Sequence, residues 1–556
     1  MQQKSLHKTV TRQIKKNKKL GTGNFFSIGR KLVNIFPFTL LLIVGLWSIW
    51  PAIVNFRDGL IYLGDDILIV WILNQTIGKI PNNLLNIFQG NIFFPFKNTM
   101  VYSVMLVPSA FLSYLPVIIT KSYISAFNFT LIFSQILTLA ISYLWFKDMT
   151  KDRWASLIGS LVLATSQIHM HYIAHLHEFN LGYMLGTLWM VWKFTSEKKV
   201  RFLYFAGLLF AIQFWENPLA AYRLLIPISY FVFTNSKLFV SKIRHLLAVG
   251  FLALVILSPY LWAYVIFYTQ FDYVRPIREA AHFSMSINEI FEHFFSPALF
   301  GLFVLSLLLI QSKKRSDNRI FHFALFNAVS AFILALGPVL KWQGNTFKVF
   351  GKIFLPLPYV FLYYLLPGFQ SDRTPSRWML TVALGMTLTL VYAISTYQGK
   401  MRKVLIISAF LIVLLGGQRV SNEVKSPVMS EYPNVYSWLS TQGGDAILEY
   451  PMYTWADGND NYRKEMYRMY YSLKHKKNLV NGASGYFPDE WQKLVAEVSL
   501  KFPDSALVDK IGLMGVDYII IHKSDIKSDT LEKINLWGKS GFVYSDEFDI
   551  VYKIPR

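Results

Sequence analysis

Cysteine is missing from all 556 residues. Its absence excludes disulfides, thiolate metal centres and cysteine nucleophiles, so any domain outside the cell must rest on its own core or on the membrane. Acidic residues are scarce too, 33 Asp and Glu against 55 Lys and Arg, which gives a formal charge of +22. Residues 1–32 carry Lys4, Lys8, Arg12, Lys15, Lys16, Lys18, Lys19, Arg30 and Lys31 and no acid. A nucleic-acid binder gathers its cations on one folded surface. Here they occupy the N-terminus and short gaps between apolar runs, and the tail beyond residue 420 is close to charge balance. Nucleic acid is therefore not expected as a partner. The N-terminal segment reads as a cytoplasmic anchor on anionic membrane lipid, each basic residue contributing about 1 kcal/mol.

Charge is largely missing from the apolar runs themselves, and hydrophobic residues make up 53% of the chain. Runs of spanning length recur from residue 33 to 418, which excludes a soluble protein. The first run, 33–56, is too long for a cleavable signal peptide and reads as a retained signal anchor. The basic clusters Lys147/Lys151/Arg153, Lys198/Lys199/Arg201, Lys237/Lys242/Arg244, Lys313/Lys314/Arg315/Arg319 and Lys400/Arg402/Lys403 fall in alternate gaps. The positive-inside rule puts each of these gaps in the cytoplasm. Runs near 33–56, 122–146, 154–170, 179–195, 202–217, 219–235, 246–268, 295–311, 320–340, 376–397 and 403–418 give about eleven spans in a cell membrane, N-terminus inside and C-terminus outside. Residues 102–120, with Pro108 and Pro116, break the alternation if counted as a span. They are read, like the Pro- and Tyr-rich stretch 350–369, as interfacial or re-entrant helix.

The outer face then holds long loops at 57–121, 269–294 and 341–375, with shorter turns near residues 169–178 and 215–218. After residue 419 the composition is that of a soluble domain. Asp445–Glu449, Val516–His522 and Phe548–Lys553 read as strands and Glu490–Phe502 as a helix, a pattern of a small α/β fold. The expected architecture is an α-helical polytopic membrane protein: a basic tail (1–32), a transmembrane domain (33–418) and an extracytoplasmic α/β domain (419–556).

Four constellations on that outer side can carry chemistry. Asp65 and Asp66 follow Gly64 just beyond the first run. Adjacent carboxylates repel each other, which suits one to act as a base or both to hold a divalent cation such as Mg or Mn. Gly-Asp-Asp before an apolar run is equally a helix cap. His169, His171, His175, His177 and Glu178 crowd one helix junction; without a His-Glu-x-x-His pattern, contact with substrate or phosphate fits better than catalytic zinc. Arg275, Arg278 and Glu279, with His282 and Ser284 nearby, suit bidentate phosphate binding or an ordinary ion pair. Arg373 and Arg377 lie where the positive-inside bias disfavours them, which calls for an anionic partner such as lipid headgroup or pyrophosphate. Tyr222 and Arg223, after the 215–218 turn, are weaker candidates for the same chamber.

In their order along the chain these residues resemble a family of polytopic bacterial and archaeal membrane proteins grouped with the GT-C glycosyltransferases. The resemblance runs through Gly64-Asp65 with Trp71, Asn91 to Thr99, His175-Leu-His177, Arg275 with Glu279, Leu336-Gly-Pro338, Leu357-Pro358 and Arg373-Thr-Pro375-Ser-Arg377. In the outer domain it continues through Glu449-Tyr-Pro451, Asn481 to Pro488 and Gly515 to Tyr518. It implies transfer of a sugar from a polyprenyl-phosphate donor to a lipid, glycan or protein acceptor on the outer side of the membrane. In such enzymes an acidic residue of the first outer loop is essential, which falls here on Asp65, with Asp66 beside it. His175, His177, Glu178, Tyr222, Arg275, Glu279, Arg373 and Arg377 are then expected at the donor phosphate or substrate. A flippase for a lipid-linked saccharide and a non-catalytic saccharide-binding membrane protein are the alternatives; the clustering of ionisable residues in outer loops rather than at mid-membrane favours chemistry over transport.

Overall fold

The computed structural model describes residues 37–271, 274–312, 319–416, 433–538 and 541–555. The basic tail, the Lys313–Arg315 cluster and the expected boundary near residue 419 lie outside these. Among the described residues three helices are long and apolar enough to cross a membrane, Ile124–Thr150, Ile243–Phe271 and Pro375–Thr396. A fourth is added if Ile287–Phe294 and Pro297–Ser312, bent by 108°, form one span. Shorter apolar helices include Pro37–Trp47, Val107–Thr120, Pro218–Thr234 and Arg319–Ala335. The fold is thus mainly helical, with a small sheet near the C-terminus.

Helix boundaries follow local chemistry. Ile124–Thr150 stops at Lys151, whose left-handed backbone lets its N–H close on the Lys147 carbonyl at 2.9 Å. The next residue, Asp152, starts Arg153–Ala164 by accepting the Trp154 and Ala155 N–H groups. The same Asp152 pairs with Arg402 at 2.8 Å, and Lys193 pairs with Asp148 at 3.8 Å. Arg319 lies 4.5 Å over the Trp192 ring and donates to Thr195. Links from four separate places in the sequence therefore meet at one end of the bundle.

Val107–Thr120 has 14 residues, about 21 Å of helix against a hydrocarbon core of about 30 Å. It packs on Ile124–Thr150 and on Asp65–Ile77, and leaves Leu115, Ile118 and Ile119 exposed. The stretch 350–369, expected as interfacial or re-entrant helix, is helical only in its middle. Two short antiparallel hairpins, Lys341–Trp342 with Asn345–Thr346 and Lys348–Val349 with Ile353–Phe354, precede a helix of only seven residues, Tyr359–Leu365. Pro356 and Pro358 explain the change, because each removes an amide donor and pushes the preceding residue out of helical geometry.

The C-terminal sheet has five strands in the order Asn478–Leu479, Ala446–Tyr450, Tyr518–His522, Asp549–Lys553 and Phe542–Ser545. The first three run parallel and the rest antiparallel, with Glu449 opposite Ile520 and His522 opposite Asp549. Three expected strands and the helix Asp489–Lys501 appear within a residue or two of their expected places. The two edge strands were not legible, one being two residues long and the other broken by a register shift.

The loop that follows the first apolar run and this domain share one hydrophobic core. Leu479 N–H donates to the Asn91 carbonyl at 2.8 Å, and the Phe93 and Phe94 amides donate to Asn481 and Leu479. Phe93 inserts edge-on against Trp491, ring centres 4.9 Å apart. Gly482 makes this possible, since a Cβ there would meet the Phe93 ring at 2.9 Å. Asn91 accepts from Trp71 and Gln75 on the Asp65–Ile77 helix and donates to Ser472 Oγ and the Lys477 carbonyl. The helix that begins at Asp65 is thereby braced from the C-terminal domain.

Candidate active site

Asp65 opens the Asp65–Ile77 helix and Asp66 follows it, but the structure separates their roles. Both oxygens of Asp66 are taken by backbone amides: Tyr62 at 2.8 Å, Gly64 at 2.9 Å and Ile67 at 3.0 Å. Asp66 is fully buried, and burial rather than repulsion from its neighbour is the main cause that raises its pKa to about 6. It holds the loop that delivers Asp65. The Asp65 side chain, 48% exposed, points instead at His175, with Oδ2 2.8 Å from Nε2. That hydrogen bond, with the charges of His175 and Arg373, holds its pKa below the ordinary carboxylate value against the effect of burial.

With the two carboxylates committed to different partners, the expected Asp65–Asp66 cation site does not fit this geometry. Among the described residues no group of three or more His, Asp or Glu is arranged to hold a metal ion.

Behind His175 lies a buried charge network. Glu178 is fully buried; Arg223 contacts its Oε2, Arg377 its Oε1 at 3.2 Å, and Asn217 its Oε1 at 3.0 Å. Burial pushes the Glu178 carboxyl up, but Arg223 and Arg377 outweigh it and hold its pKa down to about 2. Asp372, also fully buried, sits near the same two arginines, and burial raises it to about 6. Arg377 and Glu178, expected at the donor phosphate, thus compensate each other. His177 is buried and pushed down to about 3 by desolvation, so it is a neutral ring and not a phosphate-pairing cation. His169 is likewise structural, its ring nitrogens 2.9 and 2.8 Å from the Ala164 and Phe179 carbonyls.

Other expectations are corrected by position. Tyr222 donates to the Pro367 carbonyl at 2.6 Å, and it is Arg223 that enters the network. Arg275 pairs with Glu279 at 3.0 Å, the ion pair that the sequence left open beside phosphate binding, and donates to the Gly485 carbonyl at 2.5 Å, which ties the loop to the C-terminal domain. Arg373 is exposed and lies 5.5 Å over the Phe283 ring, and its charge acts on the Asp65 carboxylate. Asp65, His175 and Arg373 therefore share an accessible surface; Glu178, Arg223, Arg377 and Asp372 brace it from beneath. Asp372 was not expected at the site, whereas Arg223, a weaker candidate in the sequence, takes a central place in it, as an arginine beside an apolar run calls for a buried partner.

The bundle, the long first loop and the appended α/β domain make a mainly helical membrane fold like that of solved membrane glycosyltransferases. No family model matches the chain, and no curated protein matches it in sequence. Among solved structures it is similar to the mycobacterial arabinofuranosyltransferase AftD, at 12% identity and a TM-score of 0.56 over 93% of this chain. The alignment spans 40% of that larger protein. It is also similar to ArnT from Cupriavidus metallidurans bound to undecaprenyl phosphate, at 8% identity and a TM-score of 0.50, over 94% of this chain and 98% of that one.

Proposed function

We propose that this protein is a membrane glycosyltransferase that moves a sugar from a polyprenyl-phosphate donor to a hydroxyl-bearing acceptor at the outer face of the cell membrane. The observation that carries the reading is the accessible Asp65 carboxylate, 2.8 Å from His175 at the head of a helix braced by the outer domain. The fold likeness supports the class of reaction, and the undecaprenyl phosphate of the ArnT structure suggests the class of donor. The transporter alternative gains no support from these likenesses. About eleven spans, a cytoplasmic N-terminus and an outer C-terminal domain complete the proposal; the meeting of the basic links at one end of the bundle favours them.

In the proposed reaction Asp65 accepts the proton of the acceptor hydroxyl as its oxygen bonds to the anomeric carbon. The bond from that carbon to the lipid phosphate breaks, and the phosphate leaves with the electron pair. A positioned base of this kind contributes typically about 10²- to 10⁴-fold. His175 keeps Asp65 ionised and oriented, and Arg373 offers the charge-assisted donor for the departing phosphate. The test is to incubate purified protein with labelled polyprenyl-phosphate sugars and candidate acceptors, with and without EDTA. Release of polyprenyl phosphate coupled to labelled product is expected, unchanged by EDTA; absence of both from a broad donor and acceptor panel would overturn the proposal.

A further inference from the structure

The outer domain does more than brace the Asp65 helix. Its helix Asn459–His475 packs along Asp65–Ile77, and its 481–488 loop is pinned between the Arg275 guanidinium and Tyr102. Tyr486 of that loop lies edge-on to Tyr102 and Phe267, at 5.5 and 4.9 Å. These contacts fix the first turns of Asn459–His475 over the outer surface, where Tyr462 stands half-buried. The Tyr462 hydroxyl has only a long bond, 3.4 Å, to the Ser484 carbonyl, and its ring leans on Phe487.

From this placement, and resting on the glycosyltransferase reading, we infer that Tyr462 is the outer domain's contribution to the active site, a hydrogen-bond donor to the hydroxyl-bearing acceptor held opposite Asp65. Three groups then surround the reacting hydroxyl: the exposed Asp65 carboxylate takes its proton, Arg373 stabilises the leaving phosphate, and the half-buried Tyr462 phenol orients the acceptor. The charges facing the phenol fit that role. Burial and then the Asp65 carboxylate raise its pKa while Arg373 opposes them, so it remains a protonated donor across the physiological range. A long hydrogen bond to a carbonyl is readily exchanged for a shorter one to a ligand oxygen. The acceptor would enter between the Asn459–His475 helix and the membrane-side loops, which makes the outer domain a determinant of acceptor choice and not of donor choice.

Two measurements test this, and the absence of native cysteine makes the first clean. In the full-length chain in membranes, an Arg373→Cys/Tyr462→Cys pair should be joined by a short bifunctional thiol cross-linker, as should the control pair Asn91→Cys/Ser472→Cys, whose native side chains are 3.0 Å apart. Joining of the control alone would overturn the placement. In the transfer assay, Tyr462→Phe should raise the acceptor KM about tenfold and leave the donor KM unchanged, the size expected for one hydrogen bond to a polar ligand. An unchanged acceptor KM, or equal effects on both substrates, would overturn the role. If the wild-type protein transfers nothing while the active-site pair still cross-links, the glycosyltransferase reading has failed and the placement of Tyr462 stands.

Discussion

Replacing Glu178 by glutamine removes one negative charge from a site that water does not reach. Arg223, 1% exposed, loses its contact, and Arg377 loses a partner at 3.2 Å. Asp372 alone would then balance two guanidinium groups. Breaking a buried ion pair from one side costs about 3–5 kcal/mol, because the surviving charge stays desolvated. That lowers the ratio of folded to unfolded protein by roughly 10²- to 10⁴-fold. The sign with pH is fixed by the depressed Glu178 pKa: its contribution is complete above the unfolded value of 4.5 and is lost as pH falls toward about 2. At pH 7 the whole effect should therefore be present, read as a lower unfolding midpoint of the detergent-solubilised protein. A Glu178→Gln/Arg223→Met double variant should be less unstable than the sum of its single variants, since it no longer strands a charge. An unchanged midpoint in Glu178→Gln, or strict additivity in the double variant, would refute the network described for Glu178.

Three further outcomes follow from the same geometry. Because His175 holds the Asp65 pKa below its ordinary 3.8, the acid limb of the transfer rate should fall below that value, and His175→Asn should move it upward; a limb near neutrality in the wild type would remove Asp65 as the base. A cysteine placed at position 65 should react with a membrane-impermeant maleimide added to intact cells, and labelling only after lysis would invert the topology. In the outer domain His522 bridges Asp549 at 2.7 Å and Glu449 at 2.9 Å; burial and Arg468 oppose its charge, yet the two carboxylates raise its pKa. Its stabilisation should be complete below pH 6.5 and fade as pH rises through the raised value, so His522→Asn should flatten the pH dependence of the unfolding midpoint in that range.

Much of the helical framework was written in the apolar periodicity, and Asp65 was marked by its place just after the first run. What the sequence could not show was how side chains would be shared. Asp66 looked like the twin of Asp65, yet a loop carrying three amide donors claimed it. Arg275 left phosphate binding and a local ion pair open; the pair with Glu279 is there, but the second bond, to a glycine carbonyl 210 residues away, had no local signal. The pairing of Asp65 with His175 also joins distant segments, and no local pattern encodes such a contact. The common core of the first loop and the outer domain was hidden for the same reason, since Phe93 and Trp491 meet only once both have folded. Proline chemistry at Pro356 and Pro358, by contrast, was readable and was underweighted.

The claim on which all of this depends is that Asp65 takes the proton in the transfer step. Single-turnover transfer by Asp65→Asn, in proteoliposomes loaded with a donor that the wild type uses, tests it most directly. The account predicts a rate lowered by about 10²- to 10⁴-fold with donor binding intact; transfer at the wild-type rate would contradict it.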